Sequence, residues 1–141
     1  MKTEIMIKTG AIICAIGGFI ISHLGGWDKT LYALVSLMAV DYALGIMLSL
    51  VGKSTKTENG KLSPAASAVG IVKKTAALLC VYVACILDMF VCSNFVREGV
   101  IIAFCTTEMI SIIENLTRLG VPIPQIFHKI LDILKNKGNK R

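Results

Sequence analysis

The sequence has little charge, little proline and none of the short motifs that are typical of enzymes. Charged residues make up 17% of the chain, whereas ordinary soluble domains carry roughly 25%. Only 3 prolines interrupt the chain, so long stretches are free to form helices. The sequence has no glycine-rich phosphate loop, HExxH, GxSxG or clustered His/Cys ligands. We therefore predict that the protein is not an enzyme and holds neither a metal nor a cofactor.

The 5 cysteines do not form a disulfide framework or a zinc site. Their number is odd, no short paired spacing occurs, and each lies inside or at the end of an apolar run. We interpret them as small, reduced packing residues.

The chain is instead rich in long apolar runs. Hydrophobic residues make up 55% of its 141 residues, and the mean hydropathy is +0.72. A membrane-spanning helix needs about 20 apolar residues. We predict an all-α integral membrane protein with one domain, 1–141, and spans at about 9–27, 30–51, 75–92 and 97–116. The first run is longer than a signal-peptide core of roughly 7–15 residues and lacks an A-x-A-like site, so we expect it to be retained.

The predicted spans are joined by two short turns and one hydrophilic loop at 52–74. Ser63 and Pro64 resemble an N-cap followed by a first-turn proline, so a helix is expected to begin there and to continue into the third span. If the N-terminus is cytosolic, all 15 basic residues except Lys29 and Arg97 lie on the inner side. The positive-inside rule therefore predicts that both termini face inward. The basic residues expected at the membrane surface are Lys73, Lys74, Arg118, Lys129 and Lys135.

The fourth run, Val100–Arg118, carries a polar stripe through an apolar helix. At about 100° per residue, its polar side chains fall within roughly one third of the circumference. Asp41 lies near the centre of the second run, where a carboxylate costs about 2.5–3.5 kcal/mol. Because no Lys or Arg lies inside an apolar run, we expect Asp41 to be protonated or hydrogen-bonded to hydroxyls and amides of other helices. The candidate polar face, or pore face, consists of Asp41, Asp88, Thr107, Glu108, Ser111 and Asn115.

Small residues recur at every fourth position of the first run. Such a stripe lets another helix approach closely, so we interpret it as a helix-packing surface. Together with one glycine of the second run, this set consists of Gly10, Cys14, Gly18, Ser22, Gly26 and Gly45.

The tail, 119–141, begins with a helix terminator and two prolines and then becomes amphipathic. Its apolar side and its lysines are typical of a helix that lies on an anionic membrane surface. The same pattern would also suit a helix that packs on a partner protein. Nucleic-acid binding is disfavoured, because no aromatic or arginine platform accompanies the lysines.

Three patches of the sequence resemble one family. Asp41-Tyr-Ala-Leu44-Gly45 is similar to D-x-x-L-G, and Gly70-Ile-Val-Lys73-Lys74 to G-x-x-R/K-K, although the glycines often seen upstream are here Ala and Ser. The third patch is similar to E-x-x-S-I-x-x-N followed by G-x-P-x-P, at Glu108, Ser111, Ile112, Asn115, Gly120, Pro122 and Pro124. These patches resemble the phage-lysis holins of clostridia and related Gram-positive bacteria, which include the toxin-secretion holins. The first span and the tail after Pro124 resemble the family in their general character only and carry none of its motifs.

The resemblance implies a protein that oligomerises with itself in the bacterial cytoplasmic membrane. It would open lesions through which an endolysin or a large toxin escapes, without necessary direct contact with that cargo. Two other classes remain open: a small four-helix proton-coupled transporter, and a non-lytic membrane adaptor or antiholin. Met1 and Met6 resemble the paired starts of some holins, but we expect Met6 to be an ordinary internal residue, since a start there would lose Lys2 and Glu4 together.

Overall fold

The computed structural model describes residues 1–54 and 63–138, and in the last helix it describes only the backbone at position 131 and positions 134–138. The regular elements of these described residues are five α-helices. These are α1 (Lys2–His23), α2 (Lys29–Leu50), α3 (Pro64–Val91), α4 (Phe95–Leu119) and α5 (Gln125–Gly138). The first four are long and apolar enough to cross a membrane, so the protein has the predicted all-α, four-span character.

Local sequence signals explain where the helices begin and end. The side chain of Asp28 caps α2 by accepting a hydrogen bond from the backbone N–H of Leu31 at 2.8 Å. Ser63 is the N-cap of α3 and Pro64 is its first residue, as predicted. Gly120 ends α4 in the left-handed conformation, with a φ of 85°, which glycine adopts without steric cost.

Helix α4 is the centre of the packed unit. It runs parallel to α2, because Arg97 meets Asp28 at one end and Ser111 meets Asp41 further along. It runs antiparallel to α3, which it contacts through Lys74 and Asp88. Most interhelical contacts join α4 to α2 or α3, whereas α2 and α3 touch each other little. The buried core between these helices consists of Leu24, Leu31, Leu34, Met38, Ala77, Val81 and Ile101.

Helix α1 lies outside this packed unit, and none of its residues is buried. The small residues of its stripe are exposed; a Cβ added at Gly10 or Gly18 would meet nothing within 4 Å. The stripe therefore makes no close helix contact within the described part of a single chain. Placing Gly26 in the stripe was wrong, because α1 ends at His23 and Gly26 lies in the following turn with a φ of 91°.

Helix α5 follows the predicted break at Gly120–Pro124 and is amphipathic. Its apolar residues Ile126, Phe127, Ile130 and Ile133 are exposed. This arrangement leaves an apolar surface available to a membrane or to another protein.

Candidate functional site: two buried charge clusters

The first cluster joins α2, α3 and α4 near the middle of each helix, and we call it the Lys74 cluster: Lys74, Asp41, Glu108, Ser111 and Asn115. The Lys74 Nζ donates to Asp41 Oδ2 at 2.9 Å and to Glu108 Oε2 at 2.6 Å. The other oxygen of Asp41, Oδ1, accepts from Ser111 Oγ at 2.5 Å and from Asn115 Nδ2 at 3.0 Å. A lysine, two carboxylates, a hydroxyl and an amide thus form one hydrogen-bonded unit.

The helical period explains how α4 contributes to this cluster. Glu108, Ser111 and Asn115 follow one another at intervals of three and four residues, so their side chains lie on one face of the helix. That face is turned towards Asp41 and Lys74, and the side chains of Asp41, Lys74 and Glu108 are only 8%, 18% and 13% exposed. These three polar residues of α4 are therefore satisfied inside the protein, which limits the cost of placing them at membrane depth.

The surroundings of Asp41 agree with the prediction in one respect and correct it in another. Hydrogen bonds from a hydroxyl and an amide of another helix were expected and are present. The expectation that no cation pairs with Asp41 was wrong, because Lys74 does so. The assignment of Lys74 to the membrane surface was wrong for the same reason. Residues 64–74 are already helical, so they carry Lys74 along α3 to the level of Asp41 and Glu108.

A cavity of about 390 Å³ lies between α2 and α3 and reaches the Lys74 cluster. Its deep end is lined by Asp41, Lys74, Glu108 and Ser111. Towards the α2–α3 connection, its wall includes Ser49, Ser54, Ser63 and Ser67. The cavity exists because α2 and α3 touch each other little while both pack on α4.

The second cluster lies at the end of the packed unit where α2 and α4 begin, and we call it the Arg97 cluster: Arg97, Asp28, Asp88 and the turn between α1 and α2. The Arg97 side chain donates to the carbonyl oxygens of Leu24 and Gly26 at 2.7 and 3.4 Å. Its Nη1 donates to Asp28 Oδ2 at 2.6 Å. One arginine thus fastens the turn after α1 to the start of α4.

Asp88 completes this cluster from α3. Its carboxylate accepts from Ser93 Oγ at 2.8 Å and from the backbone N–H groups of Val96 and Arg97 at 3.0 and 2.8 Å. A carboxylate at these positions satisfies amides of the first turn of α4 and interacts favourably with the helix dipole. Asp88 therefore acts as the cap of α4, so grouping it with Asp41 and Glu108 on one polar face was wrong.

The hydrogen bond from Arg97 holds the pKa of Asp28 well below its usual range. Its carboxylate consequently stays ionised at neutral and mildly acidic pH. The stability that this interaction contributes is present above the ordinary pKa of an aspartate and is lost only as the pH falls through the lowered value. The contact between Arg97 and Asp28 is therefore expected to persist on mild acidification.

The remaining predicted residues lie apart from the two clusters. Thr107 is exposed beside the cavity, and its hydroxyl donates to the Ala103 carbonyl at 3.1 Å. Gly45 also lines the cavity. Lys73, Arg118 and Lys129 are exposed, whereas the side chain of Lys135 lies outside the described part of the chain.

Sequence reasoning missed Arg97 as a functional residue. The available signal was the position of Arg97 along its span. Arg97 lies in the first turn of α4 and Asp28 directly precedes α2, so the two residues lie at the N-terminal ends of their helices. Opposite charges at matching span ends indicate a pair that can be buried together.

Comparison with known families identifies the family to which the sequence belongs. The family model described as the bacteriophage holin family matches residues 18–136, which include both clusters. The chain belongs to the bacteriophage holin family. This is not an enzyme family, and membership together with four apolar helices makes the chain a multi-pass membrane protein.

Similar proteins occur in several Gram-positive bacteria, and the three described here are named as uncharacterized. One from Clostridium acetobutylicum is 30% identical over 130 residues, which cover 91% of this holin-family chain and 98% of the relative. A 14.9 kDa protein of Clostridium perfringens, named for its place in the nagH 3' region, is 32% identical over 133 residues, or 93% and 94% of the two chains. A Listeria monocytogenes protein is 29% identical over 139 residues, or 97% and 92%. No solved structure matches the chain.

Proposed function

We propose that the protein acts as a holin in the bacterial cytoplasmic membrane. In this proposal, copies of the chain associate and open lesions that release an endolysin, or a large toxin, from the cytosol. The cargo passes through the lesion and needs no direct contact with the protein. The observation that carries the proposal, beside the family match, is the Lys74 cluster, which keeps a polar helix face inside an otherwise apolar bundle.

The Lys74 cluster supports two arrangements of the same helices. In the closed arrangement, the polar groups of α4 bind Asp41 and Lys74 inside one chain. In an open arrangement, the same groups would line water, where charged groups are hydrated and need no partner. Burying ion pairs costs several kcal/mol per ion before pairing offsets it. The closed state therefore depends on the close pairing of these charges. A small bias from protein density or membrane potential is then enough to shift the population towards the open state.

Expression in bacteria separates this function from the alternatives. The chain is produced alone and together with a murein hydrolase that lacks a signal sequence. A holin stops growth and collapses the membrane potential when produced alone, and cells lyse when the hydrolase is present. Continued growth with an intact potential in both cultures would contradict the proposal.

A proton-coupled transporter is the second candidate, and the cavity that reaches Glu108 and Lys74 favours it. A transporter gives substrate-dependent flux, with no release of the cytosolic hydrolase. The same pair of cultures, assayed for hydrolase in the medium, therefore distinguishes the two functions. Release of an active folded enzyme through the membrane would rule out a purely transporting role.

Association between copies is expected to use the small-residue stripe of α1. With the other four cysteines replaced by serine, the exposed thiol of Cys14 reports on contacts made by that stripe. We expect mild oxidation of membranes to form Cys14–Cys14 dimers in this background. The Gly18→Leu variant should lose most of the dimer, because the larger side chain keeps the helices apart.

Gly17→Leu is the matched control for Gly18→Leu. Gly17 is the neighbouring residue, and an added Cβ meets nothing within 4 Å at either position. It lies about 100° around the helix from Gly18 and so outside the stripe. Equal loss of the dimer in both variants, or no dimer in the parent, would contradict the use of this stripe.

A further inference from the structure

The cavity beside the Lys74 cluster extends towards the end of the helices at which α2 ends and α3 begins. Its outer wall includes serines near the α2–α3 connection, among them Ser54 and Ser63. Its volume of about 390 Å³ has room for several water molecules, each of which occupies about 30 Å³ in the liquid. The serines along its wall, together with Lys74 and Glu108 at its deep end, give such water hydrogen-bond partners among otherwise mainly apolar residues.

The other side of the cluster is sealed by apolar packing. Leu34, Val81 and Ile101 are 0%, 0% and 1% exposed. Each lies seven residues from a member of the cluster (Asp41, Lys74 and Glu108, respectively) in the direction of the Arg97 cluster. Seven residues of helix correspond to about 10 Å. All three helices thus place a buried apolar side chain at one level, two turns beyond the charges.

The two carboxylates of the cluster are not equivalent. Asp41 accepts hydrogen bonds from Ser111, Asn115 and Lys74. The hydrogen bond described for Glu108 comes from Lys74 alone, and Glu108 lines the cavity. One ammonium faces two carboxylates, so the cluster has a formal charge of −1, which is costly in a low-dielectric interior. A proton delivered by water would reach an oxygen of Glu108 while leaving the hydrogen bonds of Asp41 intact.

We propose that Glu108 is a proton-binding site that is reached from the membrane face on which Lys53 lies and is closed to the face on which Lys29 lies. The charged and titratable groups around it are Asp41 and Tyr42 on α2, Lys73 and Lys74 on α3, and Cys105 on α4 itself. Binding one proton brings the formal charge of the cluster to zero. Because a neutral cluster is less costly to bury, proton binding favours the closed arrangement. The site exists before any lesion opens.

Cysteine accessibility tests the sidedness. In a background without the five native cysteines, single-cysteine variants are treated with a membrane-impermeant thiol reagent in spheroplasts and in inverted vesicles. Lys53→Cys and Lys29→Cys, at two exposed positions, mark the two faces. The Thr107→Cys variant should react from the Lys53 face and not from the Lys29 face, because Thr107 lines the cavity.

Thr106→Cys is the matched control. Thr106 and Thr107 both donate to a carbonyl four residues earlier in α4, at 2.9 and 3.1 Å, so the two substitutions remove equivalent bonds. Thr106 does not line the cavity and should react from neither face. Reaction of Thr107→Cys from the Lys29 face, or from neither face while Lys53→Cys reacts, would overturn the proposal. The two reference variants define the faces, so the outcome does not depend on which face is cytosolic.

Infrared titration tests whether Glu108 is the residue that binds the proton. The full chain is reconstituted in liposomes, and the carbonyl stretch of protonated carboxyl groups is followed as the pH is lowered. The Glu108→Gln variant should lose one such band, whereas Glu98→Gln, at an exposed glutamate of the same helix, should keep it. If Glu108→Gln retains the band and Asp41→Asn loses it, the proton resides on Asp41 and the assignment is wrong. Neither readout requires lysis, so failure of the holin activity would leave both interpretable.

Discussion

Replacing Lys74 with methionine is expected to destabilise the folded protein more than any other single substitution in the Lys74 cluster. The change leaves Asp41 and Glu108 facing the same space without the ammonium that joins them at 2.9 and 2.6 Å. Removing one partner of a buried ion pair costs about 3–5 kcal/mol, because the remaining charge is left uncompensated. We expect most of the variant to be missing from the membrane fraction, and the remainder to unfold at a lower temperature in detergent.

Two controls decide whether charge pairing causes that loss. Lys73→Met removes the neighbouring exposed lysine and should change the stability little. The double variant Lys74→Glu/Glu108→Lys restores one ammonium and two carboxylates with their positions exchanged, so it should recover much of the stability that either single change loses. Additive losses in the double variant, or equal losses in the Lys73 and Lys74 variants, would contradict the account.

Arg97→Gln is expected to release the turn between α1 and α2. Its guanidinium holds the carbonyls of Leu24 and Gly26 and the carboxylate of Asp28. Hydrogen bonds to charged groups contribute about 1.5–3 kcal/mol each. Because Asp28 is partly exposed, the stability lost with the bond between Arg97 and Asp28 lies at the lower end of that range. We expect faster hydrogen exchange at the backbone amides of this turn, with little change at the α2–α4 contacts around Asp41.

Gly25→Ala tests the same contact without removing a charge. A Cβ at this position would lie 2.7 Å from Arg97 Nε, and the φ of +84° is itself unfavourable for alanine. The variant should therefore reproduce the faster exchange of Arg97→Gln. Lys29→Gln, which removes an exposed charge next to the turn, should leave it unchanged. If Lys29→Gln matched Arg97→Gln, general surface charge would explain the effect and the specific contact would not.

Periodicity was sufficient to predict much of the fold and one face of the site. The apolar runs predicted four long helices, and Ser63–Pro64 marked the start of α3. The spacing of Glu108, Ser111 and Asn115 predicted that α4 presents a polar face, and the structure turns that face towards Asp41. These features follow from local geometry, which the sequence carries directly.

The partners of the buried acids could not be predicted from local pattern. Lys74 was assigned to the membrane surface because it adjoins the hydrophilic loop, yet the register of α3 against α4 brings it to Glu108. Asp88 and Arg97 meet because the turn after α3 is tight enough for one carboxylate to cap the next helix. Such contacts depend on the relative depth of neighbouring helices, which no single run of residues specifies.

The small-residue stripe of α1 shows a different limit of prediction from the sequence. Its period is visible in the sequence, but a single chain leaves Gly10 and Gly18 exposed. A stripe of this kind predicts a close contact without identifying the helix on the other side. The Cys14 cross-linking experiment supplies that information, because it reports on a second copy of the same chain.

The time of lysis in the Glu108→Gln variant shows whether the charge of the Lys74 cluster controls the opening of lesions. With a cytosolic murein hydrolase present, the neutral amide makes the formal charge of the Lys74 cluster zero and should favour the closed arrangement. We expect delayed or absent lysis at equal protein levels, with Glu98→Gln lysing at the time of the parent chain. Unchanged lysis time in both Glu108→Gln and Glu108→Ala would contradict that control.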